Sequence, residues 1–234
     1  MEQEADSVEV EELTLPEYDN GTKSYLMKYR DYFLMVDFPP NLKSIPSFEV
    51  REDDIWIVTF PKAGTTWLQE IVYLVMNNAD TGKALQIIYI YRNPKDTVVS
   101  YHSFFVKFLS TTKFTGNFED FCRLFTEGKV LFGPWWKHVT EAWARRHGDN
   151  FLLLCYEDLQ VDLNKNVRVV AEFLGKSLTD DQVSLIVKHC SFDSMKNNNS
   201  VNYEWYKDQG VARKEISFLR NELVPHSAFS DVVY

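Results

Sequence analysis

The sequence predicts an α/β fold in a single domain, with a parallel sheet flanked by helices. Residues 55–60, 86–91 and 151–156 are short apolar segments rich in β-branched and aromatic residues, as buried strands are. The segments between them place apolar residues three and four positions apart, which is typical of amphipathic helices. Strands that alternate with helices in this way form right-handed βαβ units, whose strands run parallel.

The composition limits the class of protein and its partners. A chain of 234 residues, 45% of them hydrophobic, can bury a substantial core and is too apolar to be disordered. The net charge of −9 argues against nucleic acid as a partner. No apolar run reaches the length of a membrane span, and the acidic N-terminus is unlike a signal peptide. The three cysteines are far apart and indicate reduced thiols, so we expect a cytoplasmic protein.

The loop of residues 61–64 joins the first predicted strand to a helix. Gly64 lets the backbone approach an anion closely, and Lys62 adds a mobile positive charge. Thr65 and Thr66 lie where the helix begins, and the unpaired N–H groups of a helix N-terminus bind phosphate. The Gly-Lys-Ser/Thr ending of a Walker A motif is absent. The residues alone therefore fit a phosphate-binding loop and an ordinary strand-to-helix turn equally well.

Arg92 follows the second predicted strand and comes just before a helix. Asn93 suits the N-cap of that helix and Pro94 its first position. The carboxyl end of a strand beside a helix N-terminus is a usual ligand position in open α/β sheets. Ser100 lies two turns into the helix. Taken by themselves, Arg92 and Ser100 fit a surface arginine and a helical serine better than a binding site.

Four motifs in the same order resemble those of the cytosolic sulfotransferases. Residues 60–67, Phe-Pro-Lys-Ala-Gly-Thr-Thr-Trp, resemble the 5′-phosphosulfate loop of that family, and residues 91–101, 156–158 and 189–196 match three further motifs. The resemblance covers residues 50–220 and implies a sulfotransferase fold, similar to that of P-loop nucleotide kinases. It implies transfer of a sulfonate group from 3′-phosphoadenosine 5′-phosphosulfate (PAPS) to a small phenol, alcohol or amine, which leaves 3′,5′-ADP.

The resemblance also implies roles for the matched residues. Lys62 is the implied catalytic residue, because charge that develops on the leaving phosphate must be neutralised. Arg92 and Ser100 correspond to residues that hold the 3′-phosphate, and Tyr156 to one on the adenine side. No metal ion is implied. The full set of implied donor-binding residues is Lys62, Ala63, Gly64, Thr65, Thr66, Trp67, Arg92, Ser100, Tyr156, Ser191, Phe192, Met195 and Arg220.

The segment that carries the family's general base does not occur in this chain. In the family, a histidine within Lys-[ST]-His-Leu-Pro serves as that base, but here Leu85 leads straight into Gln86, without several dozen residues of the pattern. His102, just past Ser100, is a candidate substitute. A nucleotide-binding chain impaired in transfer is therefore the alternative function, and we expect little transfer activity. A nucleotide kinase is disfavoured because Gly-Lys-Ser/Thr and an obvious metal-binding acid are absent.

The two ends of the chain set the predicted boundaries. Residues 1–19 hold eight acidic residues and no basic one, which indicates a flexible tail. After Arg220 the family's Lys-Gly and its dimerisation segment are not found, so the resemblance predicts a monomer. The predicted parts are an acidic tail over 1–24, a sulfotransferase domain over 25–220 that is incomplete near 85/86, and a divergent tail over 221–234.

Two groups of hydrophobic residues remain. The resemblance places the first in a region that covers part of the acceptor pocket, although simple packing is the stronger interpretation: Tyr29, Tyr32 and Phe33. The second follows helical spacing and is predicted to face the core: Trp136, Val139 and Trp143.

Overall fold

The structure is a computed structural model that describes residues 10–18, 26–38, 42, 44–77, 85–109 and 113–219. The described residues form two compact units. The first contains residues up to 50 together with 113–138, and the second contains 51–109 together with 139–219.

Six strands and nine α-helices lie within these described ranges. The strands are β1 (Val10–Leu13), β2 (Leu26–Tyr29), β3 (Tyr32–Met35), β4 (Ile55–Thr59), β5 (Gln86–Tyr91) and β6 (Phe151–Cys155). The helices are α1 (Thr65–Met76), α2 (Pro94–His102), α3 (Phe118–Thr126), α4 (Trp135–Ala144), α5 (Tyr156–Val161), α6 (Leu163–Phe173), α7 (Asp180–His189), α8 (Phe192–Lys196) and α9 (Trp205–Asp208). A π-helical turn, Ser103–Phe108, continues α2.

The second unit is built on a parallel sheet in the order β4-β5-β6. Ile57 pairs with Ile88, and Tyr89 with Leu153, so β5 lies between its two neighbours. Ile88 is fully buried, whereas Trp56 on the outer strand β4 is 39% exposed. The predicted α/β class, with a parallel sheet and flanking helices, is confirmed.

Helices α1, α6 and α7 contribute side chains to a hydrophobic core that they share with this sheet. Their inward side chains pack with β5 and β6, and the fully buried members of this core are Leu68, Ile71, Val75, Ile88, Ile90, Val167, Val170, Val183 and Cys190.

Asn93 caps α2 as predicted, since its side chain accepts a hydrogen bond from the Lys95 amide at 2.9 Å. Thr179 and Gln182 form a capping box at the start of α7. In the described part of the chain, no helix has the length and apolar character needed to cross a bilayer.

The first unit contains an antiparallel sheet in the order β1-β2-β3. Val10 pairs with Tyr29 in this sheet, and Tyr18 is buried with its ring 5.3 Å from that of Phe114. Residues 10–18 therefore differ from the flexible tail predicted over 1–24. The physical reason is that β1 extends the β2–β3 pair through backbone hydrogen bonds while its acidic side chains stay exposed, so charge does not oppose the pairing.

The predicted core stripe of helix α4 is wrong for its two tryptophans, whereas Val139 is half-buried. Trp136 is 44% exposed and Trp143 is 48% exposed, whereas Ala142 is buried. Periodicity shows that apolar residues share a face of a helix, but the rest of the chain decides whether that face is covered.

Two leucines on helices of the second unit test this description of the core. Leu68 on α1 is fully buried and Leu185 on α7 is 67% exposed. We expect Leu68→Ala to lower the free energy of unfolding by about 2–5 kcal/mol, because it leaves a cavity. The matched control Leu185→Ala should change it by less than about 0.5 kcal/mol. Urea unfolding followed by circular dichroism measures both, and equal losses would contradict the assignment of α1 to the core.

Candidate functional site

The 61–64 loop makes a tight turn between β4 and α1. Lys62 has φ +66° and Gly64 has φ +115°, so both lie in the left-handed region. The Ala63 amide donates to the Phe60 carbonyl at 3.2 Å, and the Gly64 carbonyl accepts the first helical bond from Leu68 at 3.0 Å. Turns with left-handed residues gather neighbouring N–H groups into an anion-binding concavity. The loop therefore makes the N-terminus of α1 a candidate site for an anion.

Gly64 packs directly against the ring of Tyr156. A Cβ atom at position 64 would lie 2.8 Å from Cδ2 of Tyr156 and 3.2 Å from Cδ1 of Ile90. The left-handed φ and the adjacent ring both require glycine here. The sequence predicts Gly64 because the backbone must approach an anion closely. The structure adds that Gly64 packs against Tyr156, a contact that the sequence does not reveal.

The guanidinium of Arg92 lies beside the loop. Its Cζ atom is 4.5 Å from the centroid of the Tyr156 ring, and its Nη1 donates to the Lys62 carbonyl at 3.4 Å. Its Nε is buried and has no hydrogen-bond partner within the described part of the chain. Burial raises the pKa of the Tyr156 hydroxyl, and the positive charge of Arg92 opposes that rise. A buried nitrogen donor beside a helix N-terminus suits an anionic ligand.

Trp67 connects this loop to the turn between α7 and α8. Its ring centroid is 5.3 Å from that of Tyr156, and its Nε1 donates to the Cys190 carbonyl at 2.9 Å. Ser191 follows Cys190 and caps α8 by accepting a hydrogen bond from the Ser194 amide. Three implied site residues lie just after Cys190 in the sequence: Ser191, Phe192 and Met195. Of these, Met195 is buried.

The remaining implied residues differ in how they are placed. The Thr65 hydroxyl shares a hydrogen bond with the Thr59 hydroxyl, and Thr66 is half-buried in the first turn of α1. Ser100 is half-buried on α2, and His102 is buried at the end of that helix. Arg220 lies outside the described residues, so its predicted role stays a prediction. Among the described residues, no three His, Cys, Asp or Glu side chains cluster as metal ligands.

Sequence reasoning missed two kinds of contact at this site. The ammonium of Lys62 lies over the rings of Phe218 and Phe104. Glu157 accepts a hydrogen bond from the Asn93 amide at 2.9 Å and so fixes the backbone next to Arg92. No local signal marks Phe104. Phe218 lies within residues 50–220, the range of the family resemblance, but its contact with Lys62 depends on how the chain folds back.

These features define a class of protein: an α/β protein with a candidate anion-binding site at the carboxyl ends of its parallel strands. A family model described as "Sulfotransferase domain" matches residues 52–86 and 81–226. The chain is 30% identical to Sulfotransferase 1E1 from Bos taurus over 251 aligned positions, which cover 82% of this chain and 85% of the relative. The chain therefore belongs to the sulfotransferase family and is a transferase by family.

Two solved structures have a fold similar to that of this chain. The structure of retinol dehydratase in a complex with retinol and PAP has a TM-score of 0.81, with 22% identity over 91% of this chain and 89% of that one. That of mouse sulfotransferase SULT7A1 complexed with PAP has a TM-score of 0.72, with 26% identity over 88% of each chain. At 22% identity, the first likeness shows the fold alone.

Two glycines test the packing of the 61–64 loop. Gly64 and Gly210 both have a left-handed φ, but a Cβ at Gly210 would meet nothing within 4 Å. We expect Gly210→Ala to lower the free energy of unfolding by about 1–2 kcal/mol, because of the backbone conformation alone. Gly64→Ala should cost about 1–3 kcal/mol more, because of the clash with Tyr156. Chemical unfolding measures both, and equal losses would show that the ring does not constrain the loop.

Proposed function

We propose that this chain transfers a sulfonate group from PAPS to a hydroxyl or amine of a small molecule, leaving 3′,5′-ADP. Membership of the sulfotransferase family supports the reaction class, and the mouse sulfotransferase complexed with PAP supports the donor. The observation that carries the proposal is the left-handed 61–64 loop at the N-terminus of α1 with Arg92 beside it.

The proposed donor site fits an adenosine bisphosphate. Backbone N–H groups from Gly64 to Thr66 hold the 5′-phosphate, which the glycine can approach closely because it lacks a Cβ. Arg92 holds the 3′-phosphate together with Ser100, and its buried Nε, which has no hydrogen-bond partner among the described residues, fits that role. The side chains proposed to surround the adenine end are Trp67, Tyr156, Ser191, Phe192 and Met195.

Lys62 is the proposed catalytic residue. PAPS supplies the sulfonate group, and the phosphate that remains gains negative charge as the group leaves. An ammonium fixed at the 61–64 loop stabilises that charge more in the transition state than in the ground state. The Thr65 hydroxyl forms a hydrogen bond with the Thr59 hydroxyl, which stabilises the same turn.

The acceptor side of the site stays a proposal. We propose a small phenol, alcohol or amine as acceptor. Phe33 is buried, whereas Tyr32 is half-buried with its ring edge-on to His138. Simple packing therefore remains the stronger interpretation for Phe33.

We also propose that a family segment with the general base is missing between Leu85 and Gln86. The two family matches meet at residues 81–86, which supports this position. The alignment with the bovine relative has 251 positions, more than the 234 residues of this chain, so that relative has residues that this chain lacks. The relatives give no specific support to the alternative of a chain impaired in transfer.

The compartment and oligomeric state are proposals too. Cys122, Cys155 and Cys190 are free thiols, which agrees with a reducing compartment such as the cytoplasm. Burial raises the pKa of Cys122 to about 11 and that of Cys190 to about 12, so neither is a reactive thiol. We propose a monomer, which light scattering would check.

Binding of 3′,5′-ADP tests the donor site. We expect calorimetry on the 234-residue chain to detect binding. Arg92→Ala should weaken it by about 10- to 100-fold, because a hydrogen-bonded charge is lost. The control Arg168→Ala, on the exposed surface of α6, should leave the affinity unchanged. No heat from the folded chain, or equal affinities for both variants, would refute the proposed donor site.

The missing segment can be tested by transfer assays. With PAPS and a small phenol, we expect a rate about 10²- to 10⁴-fold below that of a relative that has the histidine. Inserting the bovine relative's segment between Leu85 and Gln86 should raise the rate. Lys62→Ala in that extended chain should abolish transfer, while the control Lys165→Ala on α6 should not.

A rate in the unaltered chain equal to that of the relative would contradict the argument from the missing base. His102→Ala would then show whether that imidazole takes the acceptor proton.

A further inference from the structure

The ammonium of Lys62 is held by two aromatic rings. Its Nζ lies 3.4 Å from the centroid of the Phe218 ring and 4.8 Å from that of Phe104. The two rings are 5.6 Å apart and nearly perpendicular. The face of an aromatic ring carries partial negative charge and attracts a cation at these distances. Aromatic contacts therefore orient Lys62, the proposed catalytic residue.

Residues 203–218, here called the strap, bring Phe218 to Lys62. The Arg213 amide donates to the Phe108 carbonyl at 2.8 Å. The Arg213 guanidinium donates to the Val106 carbonyl at 2.9 Å and the Lys107 carbonyl at 3.2 Å. These carbonyls lie at the end of the π-helical turn, where helical carbonyls lack partners of their own. Because Phe104 belongs to the same turn, the strap is anchored to the element that supplies the second ring.

The Phe218 ring is fixed by other rings as well. Its centroid is 4.3 Å from that of Tyr203, at the start of the strap, and 5.7 Å from that of Phe108. Phe108 in turn stacks on Phe104. With neighbours in both the strap and the π-helical turn, the ring has a defined position from which it can orient a cation.

We propose that Phe218, aided by Phe104, is a positioning residue for Lys62. The inference rests on the proposed function, in which Lys62 acts on the donor phosphate. A free lysine side chain must give up rotamer freedom when it contacts a ligand. The aromatic contacts restrict that freedom before the donor arrives, so the ammonium is preorganised for the phosphate.

Two other roles for Phe218 give different expectations. If the ring only fills space, leucine should replace it, because leucine is apolar and of similar bulk. If the ring blocks Lys62, its removal should tighten binding of a phosphate ligand. Only positioning through the ring face predicts that leucine weakens binding while tyrosine preserves it.

Nuclear magnetic resonance of the Lys62 side chain tests the contact without a ligand. Ring currents should shift its ε-methylene protons upfield in the unaltered chain and in Phe218→Tyr. The shift should be lost in Phe218→Leu, and Lys62→Arg identifies the signal. The control Trp143→Leu removes an exposed ring on α4, so the shift should persist. An unchanged shift in Phe218→Leu would overturn the inference.

Calorimetry with 3′,5′-ADP tests the positioning role. Phe218→Leu should weaken binding by about 3- to 10-fold, the range of a partly buried cation–π contact, and Phe218→Tyr by less than about 2-fold. In a Lys62→Met background, Phe218→Leu should have no further effect. Unchanged or tighter binding by Phe218→Leu, or the same loss without Lys62, would overturn the inference alone. Absence of binding by the unaltered chain would refute the proposed donor site, and the positioning role with it.

Discussion

The close contact between Gly64 and the Tyr156 ring sets the geometry of the whole candidate site. The backbone passes so near the ring that a Cβ at position 64 would lie 2.8 Å from it. Arg92 lies over the same ring, and Trp67 meets it edge-on. Tyr156 follows β6, Arg92 follows β5 and the 61–64 loop follows β4. One aromatic ring thus joins the carboxyl ends of all three parallel strands.

The positive charge of the site is placed within an acidic protein. The chain has a net charge of −9, yet Lys62 and Arg92 meet at one loop through the Lys62 carbonyl. Aromatic rings lie beside both cations, Tyr156 under Arg92 and Phe218 under Lys62. The face of an aromatic ring attracts a cation without cancelling its charge.

The core of the second unit is built on β4 and β5, which are neighbours in the parallel sheet. β4 and β5 pair directly, from Ile55 opposite Gln86 to Thr59 opposite Ile90. Helix α1 covers them with fully buried residues such as Leu68 and Ile71. The proposed missing segment belongs between Leu85 and Gln86. The pairing of β5 begins only at Gln86, so the βαβ unit forms without that segment.

Local sequence determined the features that depend on neighbouring residues. Asn93 and Pro94 start α2, Thr179 and Gln182 cap α7, and β5 has the predicted bounds, because caps and strand ends depend on side chains a few positions away. The family motifs indicated candidate residues for the donor site, and their roles stay predictions.

Only the tertiary structure decided which surfaces are covered and which distant residues meet. The exposed tryptophans of α4, the pairing of β1 with β2, and the Phe218 ring over Lys62 all depend on segments far apart in the chain. Such contacts leave no local pattern, because their energy comes from burying surfaces that are brought together only when the whole chain folds.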